Sequence, residues 1–309
     1  MPRPPRIQFP NACYHVINRG NYRSPIFISP RAAAAFEACL FEACDRMGWV
    51  LYAHVVMRNH FHVALRTPRA NLAVGMQWLE TTFATRFNRF RGEHGHLFQG
   101  RYLAPLVEPG EVLAKVINYI HLNPIRAKAV AAAELSAYRH GSFSWFGGRH
   151  RPDFMVRGEW LRTLGFGDDK AGWREYHAYL TWLAAEPAEQ KRQGWGTLGK
   201  GWAIGSLAWR KSMRQAYRLK LGRHLLSRAE NGRLDQEEWT LALEAALQLA
   251  GKNLQQASIS ARSAPWKLRV ALHLRRTTSA TIPWLARMLH TGAPSSLRVY
   301  LSRLAKVAK

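Results

Sequence analysis

The chain has few acidic residues and few cysteines, and no long apolar run. Across 309 residues, 20 Asp and Glu stand against 45 Lys and Arg, a formal net charge of +25. A field of that sign concentrates polyanions and makes their binding salt-sensitive, so nucleic acid is the first partner to expect. Cys13, Cys39 and Cys44 form neither a metal-type pair nor a disulfide framework and read as ordinary thiols of a reducing compartment. No stretch approaches membrane-spanning length, and "MPRPPRIQFP" lacks the apolar core of a signal peptide. Nor does a strongly amphipathic basic helix, suited to a membrane surface, stand out. The expectation is a soluble, cytoplasmic protein. Aromatics, by contrast, are plentiful: 12 Trp, 10 Tyr and 13 Phe can fill cores or stack unpaired bases.

A chain of this length is expected to hold two or three domains. "ACYHVINRG" alternates like a strand and ends at a turn. "SPRAAAAFEACLFEACDRMG" has Ser29 as a helix cap, Pro30 at the first helical position and Gly48 as the stop. In "WVLYAHVVMRNHFHVALRT", Val55, Met57, Phe61, Val63 and Leu65 share one parity, and His54, Val56, Arg58, His60 and His62 the other. A kink or hairpin at Arg58-Asn59 would break that count. "NLAVGMQWLETTFATRFNRFRG" reads as a helix and "GHLFQGRYLAPLVE" as an interrupted strand region. "EPGEVLAKVINYIHLNPIRAKAV" reads as a helix limited by Asn123-Pro124. The result is an α+β domain over residues 1–150, with helices packed on an open sheet. Residues 151–260 read as a helical connecting region of unknown role, and 261–309 as a helical module.

Within "NHFHVAL", His60 and His62 stand at i and i+2, so a strand projects both rings to one side, the span of two ligands converging on one ion. Imidazoles alone suit Zn, Mn, Fe or Cu; added oxygen ligands would favour Mg or Mn. Such pairs also arise by chance. In "NYIHLNP", Tyr119 and Asn123 lie one helical turn apart, with Leu113, Val116, Ile117 and Ile120 on the core side. His121 falls on another face, and spacing fixes no base beside Tyr119.

Four ordered stretches, "YHVINRGNYRSPIF", "VVMRNHFHVAL", "HLFQGRYLAPLVE" and "YIHLNPIRAKAV", with "SFSWFGG" after them, resemble the single-tyrosine HUH transposases, most closely the REP-associated tyrosine transposases. Arg58 departs from the family's usual proline. The resemblance implies a ferredoxin-like domain with His60 and His62 as metal ligands, Asn123 as a third and Tyr119 as the nucleophile. It further implies Mg2+ or Mn2+ and single-stranded, hairpin-forming DNA. Arg19, Arg101 and Arg126 fall in or beside its motifs and are candidate phosphate contacts. Monomer and dimer stay open.

The C-terminal segment runs through "PWKLRVALHLRR", with Leu268, Ala271, Leu272 and Leu274 inward. "TIPWLARMLHTG" follows, capped by Thr281 and stopped by Gly292. "PSSLRVYLSRLAK" comes last, with Leu297, Val299, Leu301 and Leu304 apolar. The pattern fits a helix-turn-helix and looks like the replication-initiator (DnaA-type) tail of some longer family members. Ser295, Ser296 and Arg298 would then be the groove contacts. The function implied is a metal-dependent single-strand DNA transesterase. The alternatives are a DNA-binding regulator that has lost activity, and an RNA-binding protein.

Overall fold

A computed structural model describes residues 7–148, 151–199, 201–221 and 228–307. The chain divides into two units, Met1–Leu225 and Leu226–Lys309.

The first unit opens with β1 (Ala12–Arg19), α1 (Pro30–Met47), β2 (Val50–Val56), β3 (His60–Thr67), α2 (Leu72–Arg91) and β4 (Leu106–Val107). The strands lie in the order β2-β3-β1-β4, antiparallel throughout, the ferredoxin-like arrangement. Local chemistry sets the limits of α1: the Ser29 side chain accepts from the Ala32 amide at its start, and Gly48, with φ of 65°, ends it in the left-handed region. Arg58-Asn59 forms a hairpin rather than a kink. The Met57 amide donates to the His60 carbonyl across it, so the parity read through the turn does not carry from β2 to β3.

The two faces of the sheet differ in character. One carries Phe61 against Phe36 of α1, 4.5 Å between ring centroids, with Phe27, Phe83 and Phe98 around them. All five are buried. Each buried aromatic contributes roughly 2–3 kcal/mol by burial alone, so this face supplies stability. Neighbouring residues on β3 point oppositely, so His60 and His62 face the other way, towards α3 (Glu111–His121) and the short α4 (Asn123–Arg126).

The chain then runs through α5 (Ser142–Gly147), α6 (Gly158–Thr163), α7 (Lys170–Ala185) and α8 (Pro187–Arg192) to β5 (Ala203–Ile204) and α9 (Leu207–Leu221). The expected boundary at residue 150 is not where the unit ends. Phe143 of α5 packs on Trp173 of α7, and Trp160 on Tyr176, within one continuous core. A buried polar chain reinforces this: His121 lies 2.8 Å from the Tyr176 hydroxyl and 2.9 Å from that of Ser142, which also accepts from the His54 amide. β5 adds a fifth, parallel strand beside β4. The expected strand region from Gly95 to Glu108 contributes only β4 and bridges at Phe98 and Leu103, because Gly100 and Pro105 interrupt its ladder.

The second unit contains α10 (Arg228–Leu249), α11 (Leu254–Ile259), α12 (Pro265–Thr277), α13 (Ile282–Met288) and α14 (Pro294–Val307). Its core joins Leu243 and Leu247 of α10 to Leu274, Leu285 and Leu297, with Trp239 and Trp284 5.4 Å apart. The module expected to begin at residue 261 therefore includes α10. Helix α13 ends at Met288, before Gly292, as His290 turns left-handed with φ of 51°. Val299, expected on the apolar face, is 48% exposed, since the buried row is Leu297 and Leu301. No described helix is long and apolar enough to cross a membrane.

Candidate active site

β1 and β3 pair in a register that places Arg19 opposite His60 and Ile17 opposite His62. His15, two residues before Ile17, therefore shares their face and becomes a diagonal neighbour of His62. Three imidazoles thus gather on one side of the sheet. The His60 and His62 ring centroids are 5.0 Å apart, and those of His15 and His62 are 5.1 Å apart. α3 delivers Tyr119 of the same chain onto this group, its ring centred 5.6 Å from His62 and 5.9 Å from His15. The motif resemblance singled out His60, His62 and Tyr119, and the fold brings them together. His15 was present in the first motif but carried no signal, because only the β1–β3 register places it beside His62.

The back of the site comes from the region of unknown role. Trp195 stands edge-on to Tyr119 at 5.7 Å, and the guanidinium of Arg126 lies 4.9 Å over the tyrosine ring and 5.3 Å over that of Trp195. Such cation–π stacking restrains the ring from its face. The Leu198 carbonyl is 2.7 Å from His15 Nδ1, and His15 Nε2 is 3.0 Å from His62 Nδ1. A Cβ on Gly199 would come 3.3 Å from Ile17, a close approach that favours glycine there.

Burial governs the protonation of this cluster. It pushes His15 down to about 4 and His62 well below its ordinary range, with neighbouring His15, His60, Arg126 and Arg19 adding to the effect on His62. His60 is likewise lowered to about 4 by burial and then by Arg19. All three rings are neutral at pH 7 and so able to donate lone pairs. Asn59 sets the orientation of His60. Its amide nitrogen donates to the Arg23 carbonyl, so its oxygen accepts from His60 Nδ1 at 2.8 Å, leaving His60 Nε2 as a bare lone pair.

Among the described residues, no group of three or more His, Cys, Asp or Glu side chains is arranged around a metal position. His15 spends both nitrogens on Leu198 and His62 and is not a ligand. His60 and His62 are each left with one nitrogen outside these hydrogen bonds, and the amide of Asn123 stands one turn beyond Tyr119. Asn123 is buried and its nitrogen donates to the Tyr119 carbonyl at 2.9 Å, so its oxygen is the atom suited to a cation. A set this small fits an ion whose coordination is completed by oxygens of substrate and water.

Of the arginines, Arg19 and Arg126 lie at the cluster, whereas Arg101 is exposed on the loop before β4. In the second unit, Ser295, Ser296 and Arg298 are exposed at the start of α14.

A comparison with curated proteins finds no match. A solved structure, "Structure of the REP associates tyrosine transposase bound to a REP hairpin", shares 15% identity at a TM-score of 0.40, covering 52% of this chain and 96% of that one. Residues 8–123, the stretch from β1 to Asn123 that holds His15, His60, His62 and Tyr119, match the family model "Transposase IS200 like", and in that stretch the chain is similar to these transposases.

Proposed function

We propose that the chain is a transposase-type enzyme that nicks and rejoins single-stranded DNA through a covalent tyrosine intermediate. One observation carries this reading: within one chain, the Tyr119 ring sits 5.6 Å from His62, which neighbours His60, all on one face of the sheet. A phosphodiester is an anionic and therefore poor electrophile. The Tyr119 oxygen attacks phosphorus, the bond to the 3′ oxygen breaks, and the phosphate stays on the phenol as a 5′-phosphotyrosine. The phenol loses its proton to solvent, and the departing oxygen takes one up. Bond energy is conserved in the ester, so a 3′-OH can later reverse the step without ATP.

His60, His62 and the oxygen of Asn123 would hold Mg2+ or Mn2+, which supplies Lewis-acid polarisation of the phosphate when bound. Arg19 and Arg126 fix phosphates at the cluster, and Arg101 holds a more distant one. The substrate must be unpaired at the cut, since a recessed site cannot reach a stacked duplex backbone. The motif resemblance favours palindromic repeats that fold into hairpins. In the second unit, α13 and α14 act as a helix-turn-helix, with Ser295, Ser296 and Arg298 towards duplex DNA.

Incubating hairpin oligonucleotides with the protein and Mn2+ tests the reading on a denaturing gel. The wild type forms a protein–DNA adduct. Tyr119→Phe forms none and binds the hairpin as before. A wild type that binds hairpins but never forms the adduct would be a regulator instead.

A further inference from the structure

We propose that His15 is a positioning residue that selects which nitrogen of His62 is offered to a cation, taking its own orientation from the main chain at Leu198. The inference deepens the metal-dependent reading above and rests on it for its purpose, though the geometry is independent of it.

The argument is a count of protons. A backbone carbonyl has lone pairs and no hydrogen, so at 2.7 Å the Leu198 oxygen can only accept, and His15 Nδ1 must carry the proton. His15 is fully buried, where a charged ring is disfavoured, and a neutral imidazole with its one proton on Nδ1 has a bare Nε2. That bare nitrogen is 3.0 Å from His62 Nδ1, and the two rings are inclined by only 28°. The contact is a hydrogen bond only if His62 Nδ1 is the donor. His62 is then the Nδ1–H tautomer, and its Nε2 is the unprotonated atom. The opposite tautomer would set two lone pairs against each other between buried rings, an arrangement that burial penalises. The direction of the whole chain is thus set by an atom that cannot ionise or rotate away. Residues 195–199, which also bring Trp195 against Tyr119, are held at the sheet by Gly199 packing near Ile17. Their docking therefore determines how a ligand over 100 residues earlier in the chain presents itself. A free histidine would populate both tautomers; this one is committed before a metal arrives.

The test uses the full chain with 15N-labelled histidine. Two-bond 1H–15N correlation spectra of the metal-free, DNA-free protein report the tautomer of His62, and calorimetric titration with Mn2+ alone reports affinity. Two variants separate position from mere bulk. In His15→Gln, an amide can donate to Leu198 and accept from His62, restoring the relay; in His15→Phe it cannot. Wild type and His15→Gln are expected to show a bare Nε2 on His62 and to bind Mn2+ alike. In His15→Phe the His62 signals shift towards the Nε2–H form, and Mn2+ affinity falls about tenfold or more. A wild-type His62 carrying its proton on Nε2 overturns the proposal, as does a folded His15→Phe protein with the wild-type tautomer and affinity. Since no DNA is present, failure to find the phosphotyrosine adduct would end the nicking reading while leaving this result standing.

Discussion

Burying His15, His60, His62 and His121 in neutral form has a cost that pH can expose. An unfolded chain begins to protonate these rings near 6.5, whereas the folded one resists down to about 4 for His15 and His60 and about 3 for His121. Their folded values are depressed, so the stability they contribute is complete above 6.5 and is lost as pH falls towards 4. We expect the melting temperature of the full chain to drop by on the order of 10 °C between pH 7 and pH 4.5. A flat profile by circular dichroism across that window would show that the rings are already protonated in the folded state. At this scale the sequence was partly legible. Alternation put His60 and His62 on one face and helical spacing put Tyr119 on a flank, but it was the resemblance of four ordered motifs that singled them out. His15 and Trp195 did not, because one depends on strand register and the other on a segment that reaches the site from nearly 80 residues downstream of Tyr119. Nothing local encodes either fact.

Elements with chemical punctuation were readable, and those defined by pairing were not. The limits of α1 follow from Ser29, Pro30 and Gly48, each acting on its own backbone. β4 and β5 are two residues long and exist only because neighbours supply hydrogen bonds. The helix α2 shows how packing overrides local preference. Gly75 lies in its interior, where alanine would normally be favoured by about 1 kcal/mol. A Cβ there would come 2.2 Å from Trp49 Cζ2 and 2.9 Å from Met47 Cγ, and Trp49 is fully buried. Gly75→Ala is therefore expected to destabilise the protein by about 1–3 kcal/mol in urea unfolding rather than stabilise it. An unchanged or raised midpoint would mean that Trp49 has room to turn.

The formal charge of +25 belongs to a chain whose described residues form two apolar cores. Expected divisions at residues 150 and 260 followed the reach of the motifs and the change from strand to helix patterns, but the cores close on aromatic partners that such patterns do not locate, such as Phe143 with Trp173 and Trp239 with Trp284. The charge leads to a quantitative expectation for the proposed DNA binding. Each phosphate neutralised releases counterions, so hairpin affinity should fall about a hundredfold or more between 50 and 200 mM salt, with a linear double-logarithmic plot. A slope near zero in fluorescence anisotropy would remove electrostatics as the basis of binding.

The parallel strand Ala203–Ile204 and the Leu198 carbonyl leave the ribosome long after the four antiparallel strands they complete. During synthesis the nascent sheet can form with its tyrosine and histidines already near one another, while the residues that orient His15 are still unmade. Completion of the cluster is thereby deferred until some two hundred residues have been translated, and a chain cut short at residue 150 would carry Tyr119 and the three histidines without the backbone carbonyl that His15 meets.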